Sequence, residues 1–291
     1  MKLTNRLGLP QPIVDAATRD HEYTPKRYSV TQMLKGPREA ILGRRHSDEI
    51  EGDVADMAWT IFGSSMHLLL EQSRESATQL KENYITADMP NGYVLSGIFD
   101  LYDDATGTVT DYKSATVWKV IYGEWDDYRE QLLSYVWMLR QIGFDARRGE
   151  IVAILKDHSK AKARTERDYP DHPFYVIGWD FSDEELAEFG ERIAAKFREI
   201  ERCEALPDDD LPLCTPKERW AKPDQWAVMK QGNKKSSKNF DNEPDAIRYA
   251  AKLQEDSGRK CHVEHRPGKD QKCLEYCDCR PFCNYGRALE V

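Results

Sequence analysis

The spacing of apolar residues changes along the chain, and each spacing predicts a different element. Residues 28–42 ("YSVTQMLKGPREAIL") predict a helix, for which Ser29 or Thr31 is available as the N-cap. Residues 57–84 predict a longer helix, because their apolar positions follow a helical stripe formed by Ile61, Met66, Leu68, Leu69 and Leu80.

Two segments with alternating polarity follow the long helix. Residues 93–102 and 108–114 predict a β-hairpin, since the "DDATG" between them contains the residues of a tight turn. Residues 127–143 predict an amphipathic helix that ends at Gly143. The next predicted strands are 149–157 and 174–181.

The order of these elements predicts the fold class. Ser182 and Glu185 fit a capping box for a helix that continues to about residue 206. The elements follow the order helix, strand, strand, helix, strand, strand, helix. This order predicts a mixed α/β fold with one sheet flanked by helices. A small α+β module follows, with segments 226–230, 236–240, 243–256 and 261–266. We therefore divide the chain into an N-terminal arm (1–26), a core (27–206) and a C-terminal module (207–291).

Composition and charge restrict the class of protein. No segment approaches the roughly 20 apolar residues of a membrane span, and residues 1–20 lack the basic start and apolar core of a secretion signal. We expect a soluble, cytoplasmic protein without a membrane partner. The net charge of −9 argues against coating nucleic acid by bulk electrostatics. The local basic run at 217–238 is, taken alone, typical of a solvated loop.

The predicted hairpin carries charged residues where β-branched residues are usual. Asp100 lies near the end of the first strand. Asp111 and Lys113 point to the same side of the second strand, because side chains at i and i+2 share a face. Two carboxylates with room for water suit Mg²⁺ or Mn²⁺. An isolated Asp-x-Lys is typical of a surface salt bridge. The neighbouring motifs therefore decide whether this one belongs to a catalytic site.

Two pairs with helical i, i+4 spacing accompany the hairpin. His67 and Glu71 share one face of the first long helix, and Gln131 and Tyr135 share one face of the later helix. Each pair alone is typical of residues that border a core. Their joint occurrence in this order favours a catalytic site.

With these motifs, residues 27–205 resemble the RecB-type nucleases of the PD-(D/E)XK superfamily, including stand-alone phage-encoded exonucleases. The corresponding motifs are His67 with Glu71, Gly97-Ile-Phe-Asp100, Asp111-Tyr112-Lys113 and Gln131-x-x-x-Tyr135. The resemblance implies a restriction-endonuclease-like core and a metal-dependent DNA nuclease. It favours an exonuclease over an endonuclease, acting in DNA processing or recombination in a bacterial or phage-infected cell.

The resemblance also implies roles for single residues. The residues implied to hold Mg²⁺ or Mn²⁺ are His67, Asp100, Asp111 and the carbonyl of Tyr112. Lys113 would assist the attacking water. Gln131 and Tyr135 would contact the DNA backbone or orient the site. Glu71 would bind the metal through water or pair with a basic neighbour.

Seven cysteines are present, and the first of them is Cys203. Such crowding in a cytosolic chain favours a metal site over disulfides. The tail "KCLEYCDCRPFCNYG" is similar to that of iron–sulfur RecB-type nucleases, such as CRISPR-associated exonucleases and AddB, although Gly36 replaces their early cysteine. The resemblance favours a 4Fe–4S cluster, whereas general frequency favours structural Zn²⁺. The predicted ligands are Cys214, Cys273, Cys277 and Cys283, with Cys279 as the substitute for Cys214.

The basic run of the C-terminal module supplies the predicted DNA contacts, Lys230, Lys234, Lys235 and Lys238. Trp220 and Trp226 lie among the basic residues, and they either stack on bases or pack in the module's own core. Two other function classes stay open: a DNA-binding or partner-docking protein that does not cleave, and a zinc-binding interaction protein. A recombination or replication protein is the expected protein partner.

Overall fold

The structure is a computed structural model that describes residues 2–18, 23–74 and 76–289. The chain divides into a core unit, Met1–Pro207, and a C-terminal unit, Asp208–Val291. The α-helices of the core unit are α1 (Gln11–Ala17), α2 (Val30–Met33), α3 (Pro37–Arg45), α4 (Ala58–Glu71), α5 (Val117–Tyr122), α6 (Asp126–Gln141), α7 (Lys160–Ala163) and α8 (Asp183–Glu204). Its strands are β1 (Lys2–Thr4), β2 (Arg27–Ser29), β3 (Glu51–Asp53), β4 (Gln79–Met89), β5 (Tyr93–Asp103), β6 (Thr108–Ala115), β7 (Arg148–Leu155) and β8 (Phe174–Asp180).

A six-stranded mixed sheet forms the centre of the core unit. Its strand order is β2-β5-β6-β7-β8, and β4 pairs with the other edge of β5. β6 and β7 are parallel, whereas β4 and β6 are antiparallel to β5 and β8 is antiparallel to β7. The predicted mixed α/β fold with a single central sheet is therefore confirmed.

β5 has two neighbours on one edge, and this creates a fork in the sheet. Its residues 94–96 pair with β2 in parallel, and its residues 101–103 pair with β6 in antiparallel register. Residues 97–100 lie between the two pairings, where β6 leaves β5 and continues beside β7. The opening strand of the predicted hairpin thus places Asp100 at the fork.

Helices cover both faces of the sheet beside the fork. α6 approaches one face so closely that a Cβ atom at Gly97 would lie 2.6 Å from Tyr135 Cε1. Asp111 of β6 faces this helix. α4 packs on the other face, where the ring of His67 lies 6.4 Å from the ring of Tyr112. The pleat explains the arrangement, because consecutive strand residues point to opposite faces.

The long helix predicted over 57–84 is wrong in its second half. α4 ends at Glu71, and Gln79–Met89 form β4, which pairs with the full length of β5. Buried and exposed side chains alternate from residue 85 to residue 89, as expected for a strand with one buried face. Leu80, assigned to the helical stripe, belongs to this strand. Pairing with β5 therefore outweighs the local helical spacing.

The starts of two helices differ in detail from the prediction. The first predicted helix is divided, since α2 begins after its N-cap Ser29 and α3 begins separately at Pro37. At α8, the Ser182 hydroxyl accepts from the backbone N–H of Glu185 as predicted. A capping box would also need the Glu185 carboxylate to accept from the backbone N–H of Ser182. That carboxylate instead accepts from Arg129 Nη2 at 2.6 Å.

The N-terminal residues form part of the sheet structure of the core unit. β1 pairs in parallel with β3. Asp53 Oδ2 accepts hydrogen bonds from Thr4 Oγ1 at 2.6 Å and from Arg6 N at 3.1 Å. The bond from the Thr4 hydroxyl is the largest cause that lowers the pKa of Asp53. Residues predicted as an arm thus hold a strand and the helix α1.

The C-terminal unit contains a three-stranded antiparallel sheet with one helix packed on it. Its strands are β9 (Ala221–Lys222), β10 (Gln225–Lys230), β11 (Lys238–Phe240), β12 (Cys261–Arg266) and β13 (Lys269–Asp270). Its helices are α9 (Glu243–Ser257), α10 (Gln271–Glu275) and α11 (Asn284–Ala288). Ala246 and Ala250 of α9 pack against Val228 of β10. The predicted order strand, strand, helix, strand is found. Within the described ranges, every helix is too short or too polar to cross a bilayer.

Candidate active site

Asp100 joins the two branches of the fork. Its Oδ2 accepts a 2.6 Å hydrogen bond from the backbone N–H of Tyr112, beyond the point where the β5–β6 pairing ends at Leu101 and Thr110. Its Oδ1 lies 3.4 Å from His67 Nδ1. One carboxylate oxygen therefore closes the gap in the sheet, while the other faces a side chain of α4.

Glu82 is a site residue that the sequence analysis missed. It falls opposite Asp100 in the β4–β5 register, and its Oε1 lies 3.3 Å from His67 Nδ1. The ligand atoms of His67, Glu82 and Asp100 lie within 4.8 Å of one another, and no other His, Cys, Asp or Glu group of the described chain is so arranged. The three residues form a preorganised cluster of one nitrogen and two carboxylate donors.

The backbone at Glu82 is strained. Its φ of 48° lies in the left-handed region, which costs a non-glycine residue roughly 1–2 kcal/mol. Strain of this kind persists where surrounding contacts impose it, and it is frequent at functional sites. The signal for Glu82 was its register with Asp100, which requires residues 79–89 to be recognised as a strand.

Asp111 and Lys113 form an ion pair beside this cluster. Lys113 Nζ lies 2.6 Å from Asp111 Oδ2, so the two side chains share a face as their i, i+2 spacing predicts. Burial lowers the pKa of Lys113, but the charges of Asp111 and Asp100 outweigh burial and raise it above its ordinary value. The raised pKa favours the charged form of Lys113, which suits it to neutralise negative charge.

The carboxylates of the site have too little positive charge around them. Burial, followed by the negative charge of Asp111, raises the pKa of Asp100 to about 8. The hydrogen bond from Tyr112 and the charge of Lys113 oppose this rise without cancelling it. A divalent cation would supply the missing charge, and a carboxylate-rich donor set suits Mg²⁺ or Mn²⁺. The residues present therefore fit a hard divalent metal.

Gln131 and Tyr135 support Asp111 from α6. Gln131 Nε2 donates to Asp111 Oδ1 at 3.3 Å and to Tyr135 Oη at 3.4 Å. The Tyr135 ring fills the space that a side chain at Gly97 would need. Gln131 is 8 % exposed and Tyr135 is 3 % exposed. The i, i+4 pair therefore faces a site carboxylate rather than solvent.

Glu71 lies at the edge of the site. It is the last residue of α4 and is exposed. It helps to line a cavity of about 40 Å³, together with Leu70, Lys81, Glu82, Asp100 and Tyr112. This space is large enough for an ion or ordered water beside Glu82 and Asp100. Glu71 is not a member of the three-residue cluster.

Three cysteines of the tail lie near one another. Burial raises the pKa of Cys273 to about 11, and the charges of Cys277 and Cys283 contribute to the rise. Arg219 opposes it, and Arg219 Nη1 donates to the carbonyl of Cys214 at 2.5 Å. Cys273 therefore lies near Cys277, Cys283 and Arg219, and Arg219 also contacts the backbone of Cys214.

The remaining cysteines have different surroundings. Cys279 belongs to the same tail and is buried. Cys261 lies on β12 and packs against the sheet–helix core of the C-terminal unit. Cys203 is a buried residue of α8 in the core unit. Among the cysteines outside the predicted set, Cys279 alone shares the tail.

The lysines predicted to bind DNA lie in and beside the turn between β10 and β11. They are Lys230, Lys234, Lys235 and Lys238, of which the last three are exposed. Trp226 packs against the core of the C-terminal unit, which supports the packing interpretation for this residue. Trp220 is 46 % exposed, and its ring centroid lies 5.3 Å from that of Tyr276.

One family model matches part of the C-terminal unit. A family described as "Uncharacterized protein conserved in bacteria (DUF2188)" matches residues 219–272. No protein with a curated description matches the sequence.

The similar solved structures include two exonucleases. A crystal structure of SSO0001 has 16 % identity and a TM-score of 0.46, and the match covers 65 % of this chain and 81 % of that chain. A phage-related exonuclease from Haemophilus somnus 129PT has 14 % identity and a TM-score of 0.29, covering 60 % and 79 %. The alkaline exonuclease LHK-Exo from Laribacter hongkongensis has 11 % identity and a TM-score of 0.38, covering 61 % and 89 %. At these values the function has to be argued from the site itself.

Proposed function

We propose that this chain is a metal-dependent nuclease that hydrolyses phosphodiester bonds in DNA at the fork of the sheet. The observation that carries the proposal is the convergence of His67, Glu82 and Asp100 within 4.8 Å, beside the Asp111–Lys113 ion pair. Gathering three carboxylates, two of them buried, around one lysine and one histidine is costly unless a further cation is bound. A structural salt bridge does not need such an excess of negative charge.

The residues assigned to the metal are His67, Glu82, Asp100, Asp111 and the carbonyl of Tyr112. When bound, Mg²⁺ or Mn²⁺ supplies a water of lowered pKa and neutralises charge on the phosphate. Nearby carboxylate charge raises the pKa of Lys113 and favours its charged form, so in this proposal it stabilises the charge that develops on the phosphate oxygens. It also donates a hydrogen bond that orients the attacking water.

Gln131 and Tyr135 act in this proposal as positioning residues. Gln131 donates to Asp111 and thereby holds one carboxylate oxygen away from Lys113. Tyr135 packs against Gly97 and accepts from the same amide. Their burial favours an orienting role over direct contact with the DNA backbone.

Cleavage of linear and circular DNA by the full chain, with Mn²⁺ or with EDTA, tests the proposal. Asp111→Asn preserves the shape of the side chain but removes its charge, so we expect cleavage to fall at least about 100-fold. Asp88→Asn, at an exposed position of β4, is the matched control and should cleave at the wild-type rate.

The form of cleavage decides between the nuclease classes. Loss of linear DNA alone would identify the exonuclease that the motifs favour, and cutting of circles would identify an endonuclease. Equal cleavage by wild type and Asp111→Asn would contradict the assignment of the site. DNA binding without cleavage under any metal would instead support a DNA-binding or partner-docking protein.

For the C-terminal unit we propose a 4Fe–4S cluster held by Cys214, Cys273, Cys277 and Cys283. The proximity of Cys277 and Cys283 to Cys273, and the hydrogen bond from Arg219 to the backbone carbonyl of Cys214, support this set. Cys279 is the alternative to Cys214, and Zn²⁺ is the alternative metal. Protein purified without oxygen should be brown and contain iron, and Cys273→Ser should lose it while Cys261→Ser keeps it. A colourless protein that contains zinc would contradict the iron assignment.

We also propose that Lys230, Lys234, Lys235 and Lys238 contact the DNA backbone. Exposed lysines in and beside the turn between β10 and β11 support this assignment. The motifs favour a cytoplasmic role in recombination or DNA processing, with a recombination or replication protein as partner.

A further inference from the structure

A stacked and exposed aromatic pair lies on α5, directly after β6. Trp118 is 54 % exposed and Tyr122 is 68 % exposed. Their ring centroids are 5.7 Å apart with an angle of 20° between the ring planes. Rings of this size stabilise a fold by being buried. Their exposure therefore has no explanation in the stability of the core unit.

The position of α5 relative to β6 is fixed by hydrogen bonds. Val117 N donates to Asp157 Oδ1 at 2.7 Å, and Lys156 N donates to the carbonyl of Ala115 at 3.0 Å. Val117 is itself buried. The aromatic pair is thus held next to the strand end that carries Lys113.

Lysines lie on α5, beside its start and in the candidate active site. Lys119 Nζ lies 4.4 Å from the centroid of the Tyr128 ring, and Lys113 Nζ lies 5.5 Å from the same centroid. The lysine of α5 and the lysine of the proposed active site therefore contact one ring. Lys156 Nζ lies 3.9 Å from the ring centroid of Trp59, which is 57 % exposed.

The chemistry of this surface matches an unpaired nucleotide. An exposed aromatic stack accepts the face of any base, and each stacked base contributes roughly 1–3 kcal/mol. The ammonium groups of Lys119 on α5 and of Lys156 beside its start complement phosphates. The interior of a duplex keeps its base faces stacked on one another, so only a single strand or a frayed end offers a base to Trp118 and Tyr122.

We propose that Trp118 and Tyr122 bind an unpaired base of the DNA strand whose phosphodiester lies at Asp100 and Asp111. Lys119 and Lys156 contact the adjoining phosphates. This inference rests on the proposed nuclease function and adds its substrate class, which is single-stranded or frayed-end DNA.

Fluorescence anisotropy with the full chain in EDTA tests the inference without cleavage. Trp118→Ala/Tyr122→Ala should bind a short single strand about 5- to 150-fold more weakly. Its affinity for a covalently closed circular duplex, which has neither ends nor loops, should equal that of wild type. Trp118→Phe keeps a ring and should retain most of the affinity. Ile142→Ala changes an equally exposed apolar residue, at 51 %, and should bind as wild type does.

A strand with abasic sites separates stacking from charge. Wild type and the double variant should bind it equally, because the phosphates remain and the bases are missing. Equal affinity of wild type and double variant for the intact strand would overturn the inference. An equal loss on the abasic strand or on the closed duplex would also overturn it, as would a change confined to self-association in sedimentation.

Failure of the proposed nuclease function would be seen in a different experiment. If wild type cleaves no DNA with any divalent metal, or if Asp111→Asn cleaves as wild type does, the active-site proposal fails. The anisotropy series in EDTA still decides whether the aromatic pair binds a base, since it requires neither metal nor cleavage.

Discussion

At the scale of single residues, the candidate site depends on side chains that meet where two strands part. Asp100 accepts from the Tyr112 N–H at a point where a backbone carbonyl would otherwise serve. Glu82 adopts a left-handed backbone opposite Asp100, and both carboxylates lie beside His67. The donor set is thus created by strand register more than by spacing in the sequence.

Replacing each of the two glutamates near His67 by glutamine, one at a time, distinguishes their roles. Glu82→Gln should weaken Mn²⁺ binding at least about tenfold, because it removes one of the clustered charges. Glu71→Gln should change binding by less than about twofold, since Glu71 is exposed and lies outside the cluster. Thermal shift against Mn²⁺ concentration measures both, and a larger effect at Glu71 would contradict our assignment.

Gly97 should be intolerant of a side chain. A Cβ atom there would lie 2.6 Å from Tyr135 Cε1 and 3.2 Å from Val30 Cγ2, so Gly97→Ala should destabilise the fold by about 1–3 kcal/mol. Gly63→Ala is the control, because no atom beyond its chain neighbours and its own helix backbone lies within 4 Å of the added Cβ, and alanine favours a helix by roughly 0.5–1 kcal/mol. Urea unfolding measures both, and similar stabilities would refute the packing argument.

At the scale of elements, pairing between distant segments decides what each segment becomes. Residues 79–89 form a strand because β5 offers a complete edge to them. β1 is held to β3 by three backbone pairs and by the bonds of Asp53 to Thr4 and Arg6. A short strand with so few bonds should be sensitive to the loss of any one of them.

The hydrogen bonds that attach the segment of β1 to Asp53 should weaken in acid. The pKa of Asp53 is lowered below its ordinary value of 3.8, so the unfolded state binds more protons than the folded state near that pH. The stabilisation is therefore present above pH 3.8 and is lost as the pH falls through the folded pKa. Hydrogen exchange, corrected for intrinsic rates, should show falling protection of the Arg6 amide. Asp53→Asn should show low protection without this pH dependence, and unchanged protection of wild type would contradict the argument.

At the scale of the whole molecule, a negative net charge coexists with local basic segments. The chain has a net charge of −9, yet lysines lie on α5, beside its start, and in and beside the turn between β10 and β11. DNA affinity should therefore come from local contacts and fall steeply with salt. The bulk charge favours dissociation as soon as those contacts are screened.

Salt titrations count the local contacts. Lys234→Ala/Lys235→Ala should reduce the slope of log affinity against log salt by about two, if each lysine neutralises one phosphate. Lys252→Ala, a change at an exposed lysine of α9, is the control and should leave the slope unchanged. An unchanged slope in the double variant would contradict the assignment of these lysines to DNA.

The sequence by itself determined the elements that depend on short-range periodicity. The hairpin, α6 and the strand, strand, helix, strand order of the C-terminal unit follow from alternation, helical stripes and turn residues. The same periodicities predicted that Asp111 shares a face with Lys113, and Gln131 with Tyr135.

Only the tertiary structure decided which of these faces meet. The helical spacing around Leu80 was compatible with α4, and the fact that this segment completes β5 depends on a partner that local periodicity does not contain. Glu82 reached Asp100 and His67 through that pairing. Register between distant segments depends on the burial and hydrogen bonding of both, so one segment alone cannot specify it.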